Sequence, residues 1–386
     1  MTRVLHTLWS ADFGGIERLA IDLAVAQREI GIDAAFLFGV ADGSLIESFR
    51  ESGIPILSAE MTTGWDRAAS KRDLVGSMMK EFDVIHMHVF TPMIANCAGV
   101  SGKPVIFTDH GNYGLGRKWT LRDRAKRLLQ RRFFREHVDF VSCNSEYTRQ
   151  LALKHFKLDP PTSRVVYNGI DLSSRHQNTF QIPDEFAAQL RSKFVVGTTS
   201  RLAGFKRVDR LIAAFFEFQK RREDVLLLIV GDGPLRDEFE DQTRKLGIAS
   251  KTVFAGFQRD VAAFQNAMDV CVFPSAGEPF GLVAVETLAL GKPTVVMSDG
   301  GGIIEIIGSL SADDVVEDVE ALGNRLATLY DSVKKTNESA RRDQAAERIE
   351  HSKSFDISTM AARFSEIYTD LTGKPSSAKP QEMPRC

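Results

Sequence analysis

Glu278 and Glu286 stand with seven residues between them, and that stretch reads Pro279-Phe280-Gly281-Leu282-Val283-Ala284-Val285. An apolar run over residues 270–273 stops at Pro274, so a buried strand ends just before Glu278. A helix-favouring segment opens after Gly281 and carries Glu286 in its second turn. Gly281 lets the backbone come close to a ligand, and a new helix presents unpaired N–H groups with about half a positive charge. Such a start binds anions, phosphate above all. Carboxylates repel phosphate, so the two glutamates are suited to accepting hydrogen bonds from hydroxyls. A site asking for phosphate and hydroxyls together points to a sugar nucleotide.

A second set follows the apolar run 194–198, where Ser200-Arg201-Leu202-Ala203-Gly204-Phe205-Lys206 brings two cations into one loop. A diphosphate leaving group gains charge as its bond to a sugar breaks, and fixed cations stabilise it. At ~4 Å and an effective dielectric of about 20, each cation contributes on the order of 4 kcal/mol of Coulomb attraction before desolvation. Arg201, Lys206 and the helix start near Gly281 could together replace a divalent metal. No Asp-x-Asp pair follows a strand in the right place to hold one, so neither metal nor cofactor is expected. Gly231-Asp232-Gly233-Pro234 invites a dinucleotide fingerprint, but that pattern needs glycine at position 236, where Arg236 stands. Hydride transfer is disfavoured.

In the first half, Gly14-Gly15-Ile16-Glu17 opens a helix after the first apolar run, and paired glycines permit backbone shapes closed to other residues. His110 closes the strand-like Phe107-Thr108-Asp109. From Arg117 to Arg135 the chain is strongly basic, with Lys118, Arg122, Arg124, Lys126, Arg127, Arg131 and Arg132 beside Leu121, Ala125, Leu128, Leu129, Phe133 and Phe134. Two readings stand for it: a helix lying on an anionic membrane, or a core helix with a solvated cationic face.

Set within Glu-Pro-Phe-Gly after a strand, Glu278 and Glu286 resemble the Glu-x7-Glu motif of retaining glycosyltransferases of family 4, which have the GT-B fold. Gly291-Lys292-Pro293 and Gly301-Gly302…Glu305 are similar to that family too. The resemblance implies a hexosyltransferase acting from a nucleotide diphosphate sugar on a hydroxyl acceptor, a glycan or lipid-linked glycan. It implies that Glu286 binds the ribose, Glu278 the sugar hydroxyls, Arg201 and Lys206 the diphosphate, and His110 the transferred sugar. It further implies that Gly15 approaches the phosphates, Phe257 the nucleobase, and that Phe280, Gly281 and Leu282 line the donor site. The chain departs from the family at Ser200 and Arg207, where glycines are usual, and at Ile304, where proline is usual. A GT-B-like subunit that binds sugar nucleotide or glycan without turnover is the alternative.

These residues need a scaffold, and 386 residues suffice for two ordinary domains. Apolar runs at 4–9, 34–40, 54–57, 84–89, 105–108, 140–143 and 164–167, then 194–198, 225–230, 252–255, 270–273 and 293–297, alternate with helical patterns. The expected fold is α/β: two Rossmann-like domains whose parallel sheets face across a cleft. The expected division is 1–185, 186–353, a helix at 354–371 returning to the first domain, and a disordered tail at 372–386. Lys and Arg number 49 against 51 Asp and Glu, a balance that disfavours nucleic acid. Cys97, Cys143, Cys271 and Cys386 lack zinc or redox spacing, and so few cysteines in so long a chain favour the cytoplasm. The run at 4–9 is too short for a signal-peptide core, and no apolar run of about 18 residues would span a membrane. A cytoplasmic protein is expected, peripheral on the inner face of the membrane if the basic helix docks there.

Overall fold

The computed structural model describes residues 1–12, 14–111, 120–172 and 181–373. Arg117, Lys118 and the tail from 374 onward therefore lie outside the described residues, as does the side chain of Arg122. The chain forms two compact units, one of Met1–Gly169 with the chain from Ile357 onward, the other Ile170–Asp356.

The first unit holds strands β1 (Arg3–Leu8), β2 (Asp33–Phe38), β3 (Ile56–Ser58), β4 (Val84–Met87), β5 (Val105–Asp109), β6 (Phe140–Cys143) and β7 (Ser163–Val165). They pair in the order β3-β2-β1-β4-β5-β6-β7, all parallel. The second unit holds β8 (Phe194–Thr199), β9 (Val225–Val230), β10 (Thr252–Gly256), β11 (Val270–Phe273), β12 (Thr294–Met297) and β13 (Val315–Val316). Their order is β10-β9-β8-β11-β12-β13, again parallel throughout. The central strands are buried on both faces, and so their sequences run continuously apolar instead of alternating. These are two Rossmann-like α/β domains, as the sequence predicts. β13 is the one strand the apolar pattern misses: two residues at a sheet edge, set among acidic neighbours, leave no such run.

In each sheet the winding reverses once, between β1 and β4 and between β8 and β11. Loops leaving the carboxyl ends of strands on either side of such a point diverge and leave a crevice where ligands bind. The helix Ile357–Thr372 packs in the first unit against the helix Gly15–Glu29. Leu19, Leu23 and Ala26 meet Met360, Phe364, Ile367 and Tyr368 in one buried cluster. Each large apolar side chain there contributes roughly 1.5–3 kcal/mol by leaving water, so this last helix is an integral part of the unit.

Candidate functional site

In the second unit, the loops after β8 and β11 flank the reversal point and are tied together. Ala276 N–H donates to the Phe205 carbonyl at 2.8 Å, and Lys206 Nζ donates to Glu278 Oε2 at 2.6 Å. The two side chains are 14% and 13% exposed, so the ion pair is largely withdrawn from water. Glu278 is fixed from the other side by the loop after β12: its N–H donates to the Gly300 carbonyl at 2.7 Å, and its carbonyl accepts from Gly302 N–H at 2.7 Å. Gly301 makes this possible. At φ 77° it occupies the left-handed region, and a Cβ there would sit 2.6 Å from the Glu278 carbonyl oxygen. Arg210 grips the Asp299 carboxylate with two nitrogens, at 2.7 and 2.8 Å, and holds that carboxyl below the usual range. The Asp299 carbonyl in turn accepts from Gly277 N–H at 2.8 Å. Sequence reasoning missed this clamp, because nothing local in the chain pairs position 210 with 299.

The departures at Arg207 and Ser200 leave the loop in shape. Arg207 takes the left-handed conformation itself, at φ 49°, and its guanidinium is anchored to Asp209 at 2.8 Å. A non-glycine residue there costs on the order of 1–2 kcal/mol. Ser200 packs its carbonyl against Gly231, where a Cβ would lie only 2.0 Å away. Gly231 and Gly233 thus serve close packing of two loops. Arg201 is exposed and makes no ion pair with a described residue.

The helix Leu282–Ala289 starts at Gly281, which has φ 96° and provides no side-chain cap. A Cβ on Gly281 would strike the Ile303 side chain at 2.6 Å. Glu286, one turn on, accepts from Gln265 Nε2 at 3.2 Å, and the same nitrogen donates to Thr199 Oγ1 at 2.9 Å at the end of β8. Gln265, fully buried, is a second residue the sequence did not flag. Phe257 lies 65% exposed beyond β10, an open aromatic face. Phe280 is buried, with its ring against Phe355, so only its backbone is available to a ligand. Leu282 is partly buried at the helix start, and Ile304 is the second residue of the short helix Ile303–Gly308 that follows the Gly301 turn.

In the first unit, Gly15 begins its helix in open space, whereas a Cβ on the preceding Gly14 would meet the Glu17 carboxylate at 2.2 Å. His110 stands just past β5, partly exposed, with Nε2 3.3 Å from His88 Nδ1. Burial pushes its pKa down to about 4, so at neutral pH it is an uncharged hydrogen-bonding group. His6, His86 and His88 bring ring nitrogens within 4.8 Å of one another, near enough to suggest a metal. However, His6 Nδ1 and His88 Nε2 are 2.9 Å apart, a hydrogen bond. Two nitrogens on one tetrahedral ion at about 2.0–2.1 Å each would lie farther apart, roughly 3.3 Å.

The basic segment is a helix, Leu121–His137, opened by a capping box between Thr120 and Asp123. Phe133 and Phe134 enter the core, but Leu121 and Leu128 are 82% and 65% exposed beside Arg124 and Lys126. Arg124, Arg127, Leu128 and Arg131 line a shallow surface pocket. Among the described residues no helix is long and apolar enough to cross a membrane.

Residues 182–348 match the family model of glycosyl transferases group 1, and residues 13–174 that of Glycosyltransferase Family 4. An uncharacterized glycosyltransferase of Methanocaldococcus jannaschii is 30% identical over 241 residues, 59% of this chain and 60% of that protein. The alpha-monoglucosyldiacylglycerol synthase of Streptococcus pneumoniae is 29% identical over 206 residues, 50% of this chain. This chain spans only 46% of that synthase's length. Among solved structures, the Anabaena protein Alr3699/HepE in complex with UDP superposes with a TM-score of 0.76 at 22% identity, covering 96% of this chain and all of the other.

Proposed function

We infer, from a chain that carries a Glycosyltransferase Family 4 domain followed by a glycosyl transferases group 1 domain, that it moves a hexose from a nucleotide diphosphate sugar to a hydroxyl acceptor with retention of configuration. The observation that carries this reading is the group around Glu278. A sheltered carboxylate paired with Lys206, an exposed Arg201 that makes no ion pair with a described residue, and an uncapped helix start lie on loops at the reversal point of one sheet. In the proposed reaction the C1–O bond to the diphosphate breaks, its electrons going to the leaving phosphate. The acceptor oxygen bonds to C1 from the same face and gives its proton to that phosphate. Arg201, Lys206 and the helix amides offset the charge that develops. Glu278 and Glu286 accept hydrogen bonds from sugar and ribose hydroxyls, and His110 meets the transferred sugar.

The Anabaena structure contains UDP, which makes UDP-sugars the first donors to try. The assay is release of nucleoside diphosphate from UDP-, GDP- and ADP-sugars, with a panel of glycan and lipid-linked acceptors. We expect turnover with EDTA present, because the cations replace a metal. Turnover only with magnesium or manganese would refute metal independence. Donor binding without any turnover would favour the non-catalytic alternative.

The acceptor reading follows from the helix Leu121–His137, whose exposed face mixes arginines with leucines. We propose that it lies on an anionic membrane surface and brings the site to a lipid-linked acceptor on the cytoplasmic side, with the name of the pneumococcal synthase as support. Each basic residue near such a surface contributes about 1 kcal/mol, and the attraction decays over a Debye length of about 8 Å at physiological salt. Phosphatidylglycerol vesicles should therefore co-sediment the protein at low salt and release it at high salt. Changing Arg124, Arg127, Arg131 and Arg132 to Glu should abolish the binding. Unchanged vesicle affinity in that variant would leave only the solvated-face reading.

A further inference from the structure

The buried histidines belong to an unbranched line of hydrogen bonds through the first unit. It runs from His110 Nε2 to His88 Nδ1 (3.3 Å), then from His88 Nε2 to His6 Nδ1 (2.9 Å). His6 Nε2 meets Gln27 Oε1 at 2.8 Å, and Gln27 Nε2 meets the Tyr368 hydroxyl at 3.0 Å. The hydroxyl continues to His86 Nδ1 (2.7 Å), and His86 Nε2 to Thr108 Oγ1 (2.6 Å). Only His110 is partly exposed; the other members are buried. Burial pushes the pKa of His6 and His110 down to about 4 and those of His86 and His88 well below the usual value.

A neutral imidazole has one N–H and one lone pair, so the direction of any bond in the line fixes the next. With the Gln27 amide placed so that its carbonyl oxygen faces His6, that oxygen can only accept. His6 must then carry its proton on Nε2 and accept at Nδ1 from His88 Nε2–H. His88 accepts at Nδ1 from His110 Nε2–H. The His110 Nδ1, which makes no hydrogen bond to a described residue, is left as a bare lone pair. On the other side Gln27 donates to Tyr368, whose O–H donates to His86, leaving that ring protonated on Nε2. All four rings thus hold the Nε2–H form, which is the intrinsically favoured tautomer of histidine.

We propose that Gln27 is a positioning residue that sets the tautomer of His110, so that Nδ1 accepts a hydrogen bond from a hydroxyl of the bound sugar. The identity of that ligand rests on the sugar-transfer reading; the tautomer itself does not. Without the Gln27 acceptor, the His6 Nε2–H would be an orphaned buried donor, which proteins rarely tolerate. The line from His6 to His110 would reverse to avoid it.

The test is long-range proton–nitrogen NMR on ¹⁵N-histidine-labelled protein without donor at pH 7. In the wild type, His6, His86, His88 and His110 should all be Nε2–H. In Gln27→Leu, His6, His88 and His110 should become Nδ1–H, whereas in Tyr368→Phe His110 should stay Nε2–H. A wild-type His110 that is Nδ1–H or mixed overturns the proposal, and so does reversal in both variants, which would mark general loosening. If Gln27→Leu does not fold, Gln27→Met, close to glutamine in shape and without its carbonyl acceptor, takes its place with the same expected reversal. In the transfer assay, Gln27→Leu should raise the donor KM about tenfold with a smaller change in kcat, and an unchanged KM removes the sugar hydroxyl as the ligand. A wild type that turns over no sugar nucleotide would sink the transferase reading, while the spectra would still judge the line.

Discussion

Arg201→Ala is expected to lower kcat/KM for the sugar nucleotide by about 10²–10³-fold without moving the thermal midpoint. Removing one preorganised donor from a site where charge develops typically costs that much, roughly 3–4 kcal/mol of the barrier. Arg201 is suited to the test because it is exposed and makes no ion pair with a described residue, so its loss should leave the fold intact. Lys206→Ala should slow turnover to a similar degree but also lower the midpoint. There the Glu278 carboxylate, 13% exposed, loses the ammonium 2.6 Å away, and a buried polar group left without a partner costs on the order of 1–3 kcal/mol. Steady-state kinetics and thermal melts on both variants separate the two effects. Wild-type turnover in folded Arg201→Ala would sink the diphosphate assignment.

The second large effect is on acid stability. His6 and His110 are neutral when folded, with pKa values of about 4 against an ordinary 6.5. Between those values the unfolded chain binds protons that the folded chain excludes, so the contribution of these two residues falls as pH drops below 6.5 and levels off near 4. Each of the two contributes on the order of 3 kcal/mol of lost stability at pH 4, from 1.36 kcal/mol per pKa unit. His86 and His88, depressed further, act in the same direction. Against a usual total of about 5–15 kcal/mol for a domain, this is a large fraction. Carboxylates held low by ion pairing, such as Asp224 and Asp299, lose their contribution only below the ordinary carboxylate range. The histidine effect therefore comes first as pH falls. Denaturant midpoints at pH 7.5, 6, 5 and 4.5 check it; a flat profile would show that the histidines are not held neutral.

Much of the scaffold was legible in the chain because its cause is local. A strand covered on both faces must be continuously apolar, and every such run from residues 4–9 to 293–297 coincides with a strand of one of the two sheets. The Val315–Val316 strand was invisible, since two edge residues among acids carry no such pattern. Glu278, Glu286, Arg201 and Lys206 stand out as candidates in the chain because turn residues and helix starts lie beside them in sequence. What the tertiary structure alone decided is how these groups are held. Arg207 accepts a left-handed backbone in place of glycine, Arg210 closes on Asp299, and Gln265 reaches Glu286. The buried line is the plainest case. His86 on β4 and His88 just past its end, two positions apart in an extended run, visibly share a face. That His6 faces them follows from the parallel register that pairs position 6 with 86. Gln27 meets Tyr368 across 341 positions because an apolar stripe of the last helix packs on the first. Hydrophobic patterning specifies which face of an element is buried, but register and helix docking choose the polar partners, and those depend on the whole fold at once.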